Sequence, residues 1–548
     1  MVFMPPNTST VVFIDNYHDN YGGPGVNLDT GAPSPTPYTY DDGSGLFVFG
    51  TEYNLETNGL RKLKPLSNTF CSAGSFYSDG TLLNLAGAEE GSAGVAEGFD
   101  KLRTYAPGPC TGNCTMDWEE QSAMLQHYRW YPTAQTMTDG NILLVGGSDA
   151  GGLVLNEASI NVPTYEKVYQ DGRTPPAPVT LPILEFTDAQ NLDPGKSYNL
   201  YPNLHLLPNP SVANQIFTIA GNSTIIWDYD SDSLVATLED TPLAPRTFPS
   251  SATTVLLPLR APDYTPTVLL CGGSSGDIPN PKGLGDCYTM NPLDSSPTWQ
   301  TEDSLPNGAQ TMSDGLLLPD GTVLLINGAR TGCGGGFQAD DPVYNPLIYN
   351  ASQPSGSRFA SLDAGTIPRM YHSVAILLPS GEVLLAGSNP TVSYGPTGNV
   401  PAGWPYFGNN GHTCALLQQQ RNTSAYPTEY RVELFSPPYM SATARPSVKS
   451  CPYAINYGES FVLDATLSGS PLSGTTEIVL LHQGFHTHGL AMGQRMVQLS
   501  TTAVAGDSTF NVKAPPDASV MPPGIYLIFA VNNGIPSEGI WIELFGQG

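Results

Sequence analysis

Six times along the chain a turn leads into a short apolar run that ends on a small residue and glycine. SDGTLLNLAG ends at Gly87, TDGNILLVGG at Gly147 and QIFTIAG at Gly221, followed by TPTVLLCGG at Gly273, PDGTVLLING at Gly328 and PSGEVLLAG at Gly387. The intervals of about 50 to 75 residues suit four-stranded blades with outer loops of variable length. Each run is four to six residues, rich in Leu and β-branched side chains and bounded by DG, SG or GG turns, which is strand chemistry. The N-terminal segments VVFID and LFVFGTEYNL add a seventh unit. With 58 Gly and 51 Pro among 548 residues, helix interiors are disfavoured throughout. The expectation is an all-β chain: a seven-bladed, Kelch-type β-propeller over residues 1–429. From Tyr430 the repeat stops, and SFVLDATL, TEIVLLHQ, GIYLIFAVN and GIWIELFG read as strands of an immunoglobulin-like β-sandwich over 430–548.

The formal net charge of −28 repels phosphate backbones and anionic lipid, so no nucleic-acid or membrane partner is expected. No apolar run approaches the roughly 18 residues of a membrane helix. The start, Met1 to Pro6, lacks a signal-peptide pattern, as expected of a processed or trimmed chain. Sequons at Asn7, Asn113, Asn222, Asn350 and Asn422, with eight cysteines, favour an extracellular protein. Cys110 and Cys114 are spaced for a small disulfide loop and Cys271 and Cys287 for a hairpin; Cys414 and Cys451 are candidates to bridge the two halves. No paired CxxC zinc pattern is present. A closed propeller is expected to be a monomer.

Internal repetition allows blades to be superimposed by counting. Cys71, Tyr131, Met312 and Tyr371 each lie 16 residues before the closing glycine of their repeat. RWYPT around Tyr131 echoes RMYHS around Tyr371 and RTFPS around Phe248; Tyr201 in Tyr201-Pro202 takes the same slot, and His205, which counting alone selects, is set aside. Equivalent inner-strand ends ring the axis of a propeller, so these six residues should converge at one mouth of the central channel. His372 follows Tyr371. Imidazole with phenolate favours Cu(II) or Fe(III) over zinc. A further ligand is expected from His482, His486 or His488 in LHQGFHTHGL, read as a loop of the C-terminal domain that dips into the channel.

These residues, NTFCSAG, RWYPT, PRMYHS and Thr487-His488 followed by Gln494-Arg495, together resemble the motifs of the copper radical oxidases, the family of galactose oxidase and glyoxal oxidase. The resemblance runs over nearly the whole chain. LLINGARTGCGGG is similar to the glyoxal oxidases. The galactose oxidases' tryptophan after Gly-Gly-Ser is replaced here by Asp149-Ala150, which argues against galactose as substrate and leaves the residue covering the radical unassigned.

The resemblance implies one copper ion held by Tyr131, Tyr371, His372 and His488, and a Cys71–Tyr131 thioether that forms a radical cofactor. It implies Tyr371 as general base and Tyr131 as the radical that takes a hydrogen atom, oxidising aldehydes to acids while O2 becomes hydrogen peroxide. A primary-alcohol oxidase is the alternative; a non-catalytic Kelch scaffold would not need these five residues together. Peroxide-consuming peroxidases are the implied partners. Tyr201, Phe248, Met312, Arg246 and Arg330 are the pocket candidates, the arginines for a carbonyl or carboxylate. With Cys71 consumed, seven cysteines remain, and Cys333 is the one expected to be unpaired.

Overall fold

Short strands that alternate with tight turns can bury their apolar faces only by stacking sheet on sheet, and here they do so around a ring. The computed structural model describes the chain outside residues 16–23, 27–32, 38, 47, 91–94, 107–115, 150–159, 174, 187–199, 210–212, 276–281, 336–338, 391–425, 427, 505–507 and 546–548. Seven antiparallel sheets follow one another in sequence. The second to seventh have as inner strands Ala73–Phe76, Thr133–Thr136, Asn203–Leu206, Thr253–Leu256, Asp314–Leu317 and Val374–Leu377. The all-β, seven-bladed reading of the sequence therefore holds. The apolar runs of the repeats are the second strands, such as Ile142–Val145 and Val323–Ile326, buried at every position.

The seventh blade ends on Glu433–Phe435, which pairs with Val383–Ala386. Propeller pairing thus extends past 429, the boundary expected from sequence, because the blade needs an outer strand after its Gly387 turn. The C-terminal sandwich begins at Pro446–Ser450 and closes on Ile540–Phe545. It is tied to the propeller by the parallel pairing Leu259↔Val497 and by a core in which Phe217, Leu259 and Trp299 pack with Ile478, Val497 and Tyr526.

The segment expected as a loop is a hairpin. Phe485–Thr487 pairs with Leu490–Met492, and the pairing Val2↔His486 adds this hairpin to the inner edge of the first blade. The sandwich thereby sends two strands up the central channel. Gly74 on the second blade makes room: a Cβ there would overlap the Phe485 ring. Gln494 locks the hairpin base to the sixth blade, its Nε2 donating to the Gly315 carbonyl at 3.0 Å and its Oε1 accepting from the Leu317 N–H at 2.9 Å.

Burial sets the acid response. His205, His482 and His486 are each pushed down to about 4 by burial. Between about pH 6.5 and 4 the unfolded chain takes up protons at these histidines and the folded one does not, so stability falls as pH falls, by about 1.4 kcal/mol per unit per site. Asp314, pushed up to about 7 by burial, acts oppositely and offsets one site. Denaturant midpoints should therefore drop steeply from pH 6.5 to 5; a flat profile would refute the neutral buried imidazoles.

Candidate metal centre

Each blade delivers one side chain to the channel through the same backbone device. The residue two before the inner strand is left-handed at Cys71, Tyr131, Tyr201, Ser251, Met312 and His372, with φ between 46° and 63°. A non-glycine residue pays roughly 1–2 kcal/mol for this conformation, and the repetition shows a position fixed by the fold. Successive slots are tied together: Tyr131 N–H donates to the Cys71 carbonyl at 3.1 Å, Tyr201 to Tyr131 at 2.7 Å and Met312 to Ser251 at 2.9 Å.

This ring corrects the count in two places. His372, not Tyr371, occupies the seventh-blade slot, and Ser251, not Phe248, the fifth. The N–H of Asn389 bonds the Tyr371 carbonyl just as Ser148 bonds Trp130 and Ala329 bonds Thr311. The counterpart of Gly147 is therefore Ser388, one residue beyond the glycine used for counting. Tyr371 sits one residue above the slot and Phe248 three above, yet both rings still turn into the centre.

The first blade contributes through its added hairpin, whose tip is His488 (φ 52°) and Gly489 (φ 79°). Of the three clustered histidines, His482 Nδ1 faces the Gly493 carbonyl at 3.2 Å and His486 Nε2 the Gln483 carbonyl at 2.7 Å. Only His488 reaches the ring. Its Nε2 lies 3.4 Å from Tyr371 Oη and 3.6 Å from Cys71 Sγ, and Tyr371 Oη is 3.2 Å from Tyr131 Oη. The ligand atoms of Cys71, His372 and His488 lie within 4.8 Å of one another.

The donor atoms are prepared for a metal. His372 Nδ1 donates to the Asn389 carbonyl at 3.2 Å, which leaves Nε2 as a lone pair, buried and without a partner. A buried polar atom of this kind is costly unless a ligand satisfies it. Burial pushes His372 down to about 4 and His488 further still, the neighbouring His372 adding to the effect, so both imidazoles stay neutral. Burial also holds Cys71, Tyr131 and Tyr371 well above their usual values, so metal uptake must displace a phenolic proton. Two imidazoles and two phenols fit a copper ion.

The Tyr131 ring is enclosed. Phe248 stacks on it with centroids 4.7 Å apart and planes at 22°, Trp130 meets it edge-on at 4.5 Å and Tyr201 at 4.9 Å. Phe248 is thus the stacking partner that sequence reading left unassigned. Gly334 of the glycine-rich loop packs on Phe248, where a Cβ would overlap the ring, and its N–H bonds the Pro249 carbonyl at 2.7 Å. Aromatic stacking is worth about 0.5–1.5 kcal/mol, so Gly334→Ala should slow turnover by about 3- to 10-fold with metal content intact. Unaltered turnover would separate the stack from the chemistry.

Among the other pocket candidates, Tyr201 spends its hydroxyl on the Ser72 carbonyl at 3.1 Å, and Met312 lines the slot ring. Arg246 and Arg330 are corrected. Arg246 pairs with Asp286 at 2.5 Å and binds the Gly272 carbonyl, the same clamp that Arg129 makes with Glu166 and Gly146 and Arg369 with Glu433 and Gly387. These arginines hold blade ends. Arg330 donates to the Asn307 carbonyl, with Asp341 at 3.9 Å, and is likewise engaged outside the centre.

Cys271 and Cys287 form a disulfide across paired strands, as their spacing predicts. Cys333 is disulfide-bonded and not unpaired, whereas Cys451 is free, which removes the expected Cys414–Cys451 bridge. Cys110, Cys114 and Cys414 lie outside the described residues, as do Asn113 and Asn422.

The sequence profile of the glyoxal oxidase N-terminus matches residues 4–403, and that of the galactose oxidase-like early set domain matches 445–544. Aldehyde oxidase GLOX of Vitis pseudoreticulata is 35% identical over 509 residues, covering 90% of this chain and 84% of that protein. Aldehyde oxidase GLOX1 of Arabidopsis thaliana is 33% identical over 90% of the chain and 74% of its own length. A fungal alcohol oxidase of the AA5 family, solved in complex with copper, shares the fold with a TM-score of 0.69 at 16% identity, over 100% of this chain and 96% of that one.

Proposed function

The chain belongs to the glyoxal oxidase family of copper-dependent oxidases, and from that premise we propose that it oxidises small aldehydes, glyoxal and methylglyoxal among them, to carboxylic acids while reducing O2 to hydrogen peroxide. The observation that carries this reading is the convergence of Cys71, Tyr131, Tyr371, His372 and His488 at one channel mouth. A copper ion held by Tyr131, Tyr371, His372 and His488 supplies Lewis acidity toward a substrate oxygen and a one-electron centre beside the protein radical. Everything else is done by side chains. Cys71, bonded through sulfur to the Tyr131 ring with loss of two hydrogen atoms to O2, lowers the potential of that phenol. Tyr371 Oη takes the hydroxyl proton of the hydrated aldehyde as general base. Tyr131, as the phenoxyl radical, takes the hydrogen atom from carbon. Phe248, Trp130 and Tyr201 exclude water from the radical, and the neutral tautomer of His372 is fixed by Asn389.

The disulfides at Cys271 and Cys333 and the exposed sequon at Asn7 support secretion. Among the described residues no helix is long and apolar enough to cross a membrane. A peroxide-consuming peroxidase is the natural partner of the product, and ring closure, which packs blade faces against one another, favours a monomer.

Peroxide release from copper-loaded, oxidatively activated protein tests the substrate class. Methylglyoxal should outpace benzyl alcohol and galactose. Dominance of an alcohol would transfer the same centre to a primary-alcohol oxidase, and silence on all three from protein containing copper would refute the reading.

A further inference from the structure

Among the described residues five arginines are buried, and four of them face a carboxylate: Arg103 with Glu120 at 3.9 Å, Arg129 with Glu166, Arg246 with Asp286 and Arg369 with Glu433. Arg495 is the exception. It is 6% exposed and its nitrogens donate only to carbonyls, Nε to Val520 at 2.6 Å, Nη1 to Leu206 at 2.8 Å and Nη2 to Ser519 at 2.7 Å. The acid whose field reaches it, Asp517, turns Oδ1 to the Ser519 hydroxyl at 2.6 Å and to the Ser519 N–H at 2.8 Å. Carbonyl dipoles soften an isolated guanidinium but do not neutralise it, and a buried charge without a counter-charge is expensive.

Beside Arg495 lies a cavity of about 30 Å³ at the junction of propeller and sandwich, lined also by His205, His482, Gln135 and Gln494 and by no carboxylate. His205 Nε2 is buried there without a partner. The position is far down the inner strand from the channel mouth, since His205 follows the slot residue Tyr201 by four positions along Asn203–Leu206. Thus a guanidinium with no carboxylate bonded to it and a ring nitrogen without a partner share one small polar space. The space is lined by donors and by no carboxylate, which suits a small anion.

We propose that this cavity is a halide site, in which one chloride-sized anion neutralises Arg495 and accepts from His205 Nε2. The site has a structural consequence. His482 and Arg495 are paired across the base of the channel hairpin, and Gln494 clamps that base to the sixth blade. An anion there braces the element whose tip is His488, without entering the copper site.

The test titrates sodium bromide against sodium gluconate at fixed ionic strength and follows thermal unfolding of the copper-loaded protein. Bromide should raise Tm saturably by about 2–4 °C, with gluconate inert, and the rise should vanish in His205→Leu, which leaves the ligands of the metal centre untouched. Bromide-soaked crystals of the unaltered protein should give an anomalous peak within hydrogen-bond distance of His205 Nε2. Equal response to both anions, an undiminished bromide response in His205→Leu, or a cavity without an anomalous peak would each overturn the assignment.

Discussion

Tyr371→Phe should lower peroxide release by about 10²- to 10⁴-fold, the range attributed to a positioned general base, while the protein still binds copper. The substitution removes one oxygen and little else. The ring itself is held by stacking on His372, with centroids 3.8 Å apart at 27°, and by the more distant Phe248 face, contacts that phenylalanine repeats. Tyr131, His372 and His488 remain as the other proposed ligands. What disappears is the hydroxyl that lies 3.2 Å from Tyr131 Oη and 3.4 Å from His488 Nε2. In the metal-free protein burial keeps this phenol protonated, so it can retain a proton taken from substrate until the reoxidation step. Metal analysis and amperometric peroxide release on the same sample decide the matter. Turnover within threefold of the parent would remove Tyr371 from the base role, and loss of copper together with turnover would make it a ligand first.

The fold was legible because its signal is local and repeated. A DG or SG turn, four apolar residues and a glycine end specify a strand pair without any knowledge of distant chain, and six copies specify a ring. The centre was legible only in part. Counting from the closing glycine worked for Cys71, Tyr131 and Met312, but in the seventh blade Ser388 stands where the others have glycine. The count therefore fell on Tyr371 and missed that His372 is the slot residue. The arginines illustrate a different limit. Arg129, Arg246 and Arg369 share their neighbourhood with the aromatic motif, yet whether a guanidinium turns toward the channel or toward a blade-end carbonyl depends on Glu166, Asp286 and Glu433, residues 37, 40 and 64 positions away. The hairpin was hidden for a similar reason. Gly484, Gly489 and Gly493 punctuate it, but its pairing with Val2 joins opposite ends of the chain.

Cys71→Ala separates two chemistries that the same atoms permit. Cys71 Sγ, His372 and His488 lie close enough to form a thiolate–imidazole metal site, whereas the proposed function uses the sulfur as a covalent substituent of Tyr131. A thiolate ligand predicts that the alanine variant loses its metal. A thioether predicts that copper is retained, because the four ligands are intact, while oxidase turnover falls by about 10³-fold or more. The reason is electronic: an unsubstituted phenol is harder to oxidise, and each ~59 mV in a one-electron couple is a factor of ten. Two observations favour the thioether. Burial holds the Cys71 thiol well above its ordinary value, so it is not preformed as a thiolate, and Tyr131 lies within hydrogen-bond reach of it, alongside His488 Nε2 at 3.6 Å. Fold damage does not confuse the outcome, since removing one buried sulfur leaves a cavity worth about 1 kcal/mol. Mass spectrometry after reduction of the disulfides supplies an independent reading: the copper-matured parent should remain lighter than its sequence by two hydrogen atoms, and Cys71→Ala should show its full sequence mass. A parent at full sequence mass after maturation, or a variant that keeps its turnover, would remove the cross-link and with it the radical mechanism; a variant without metal would leave the thiolate site as the answer.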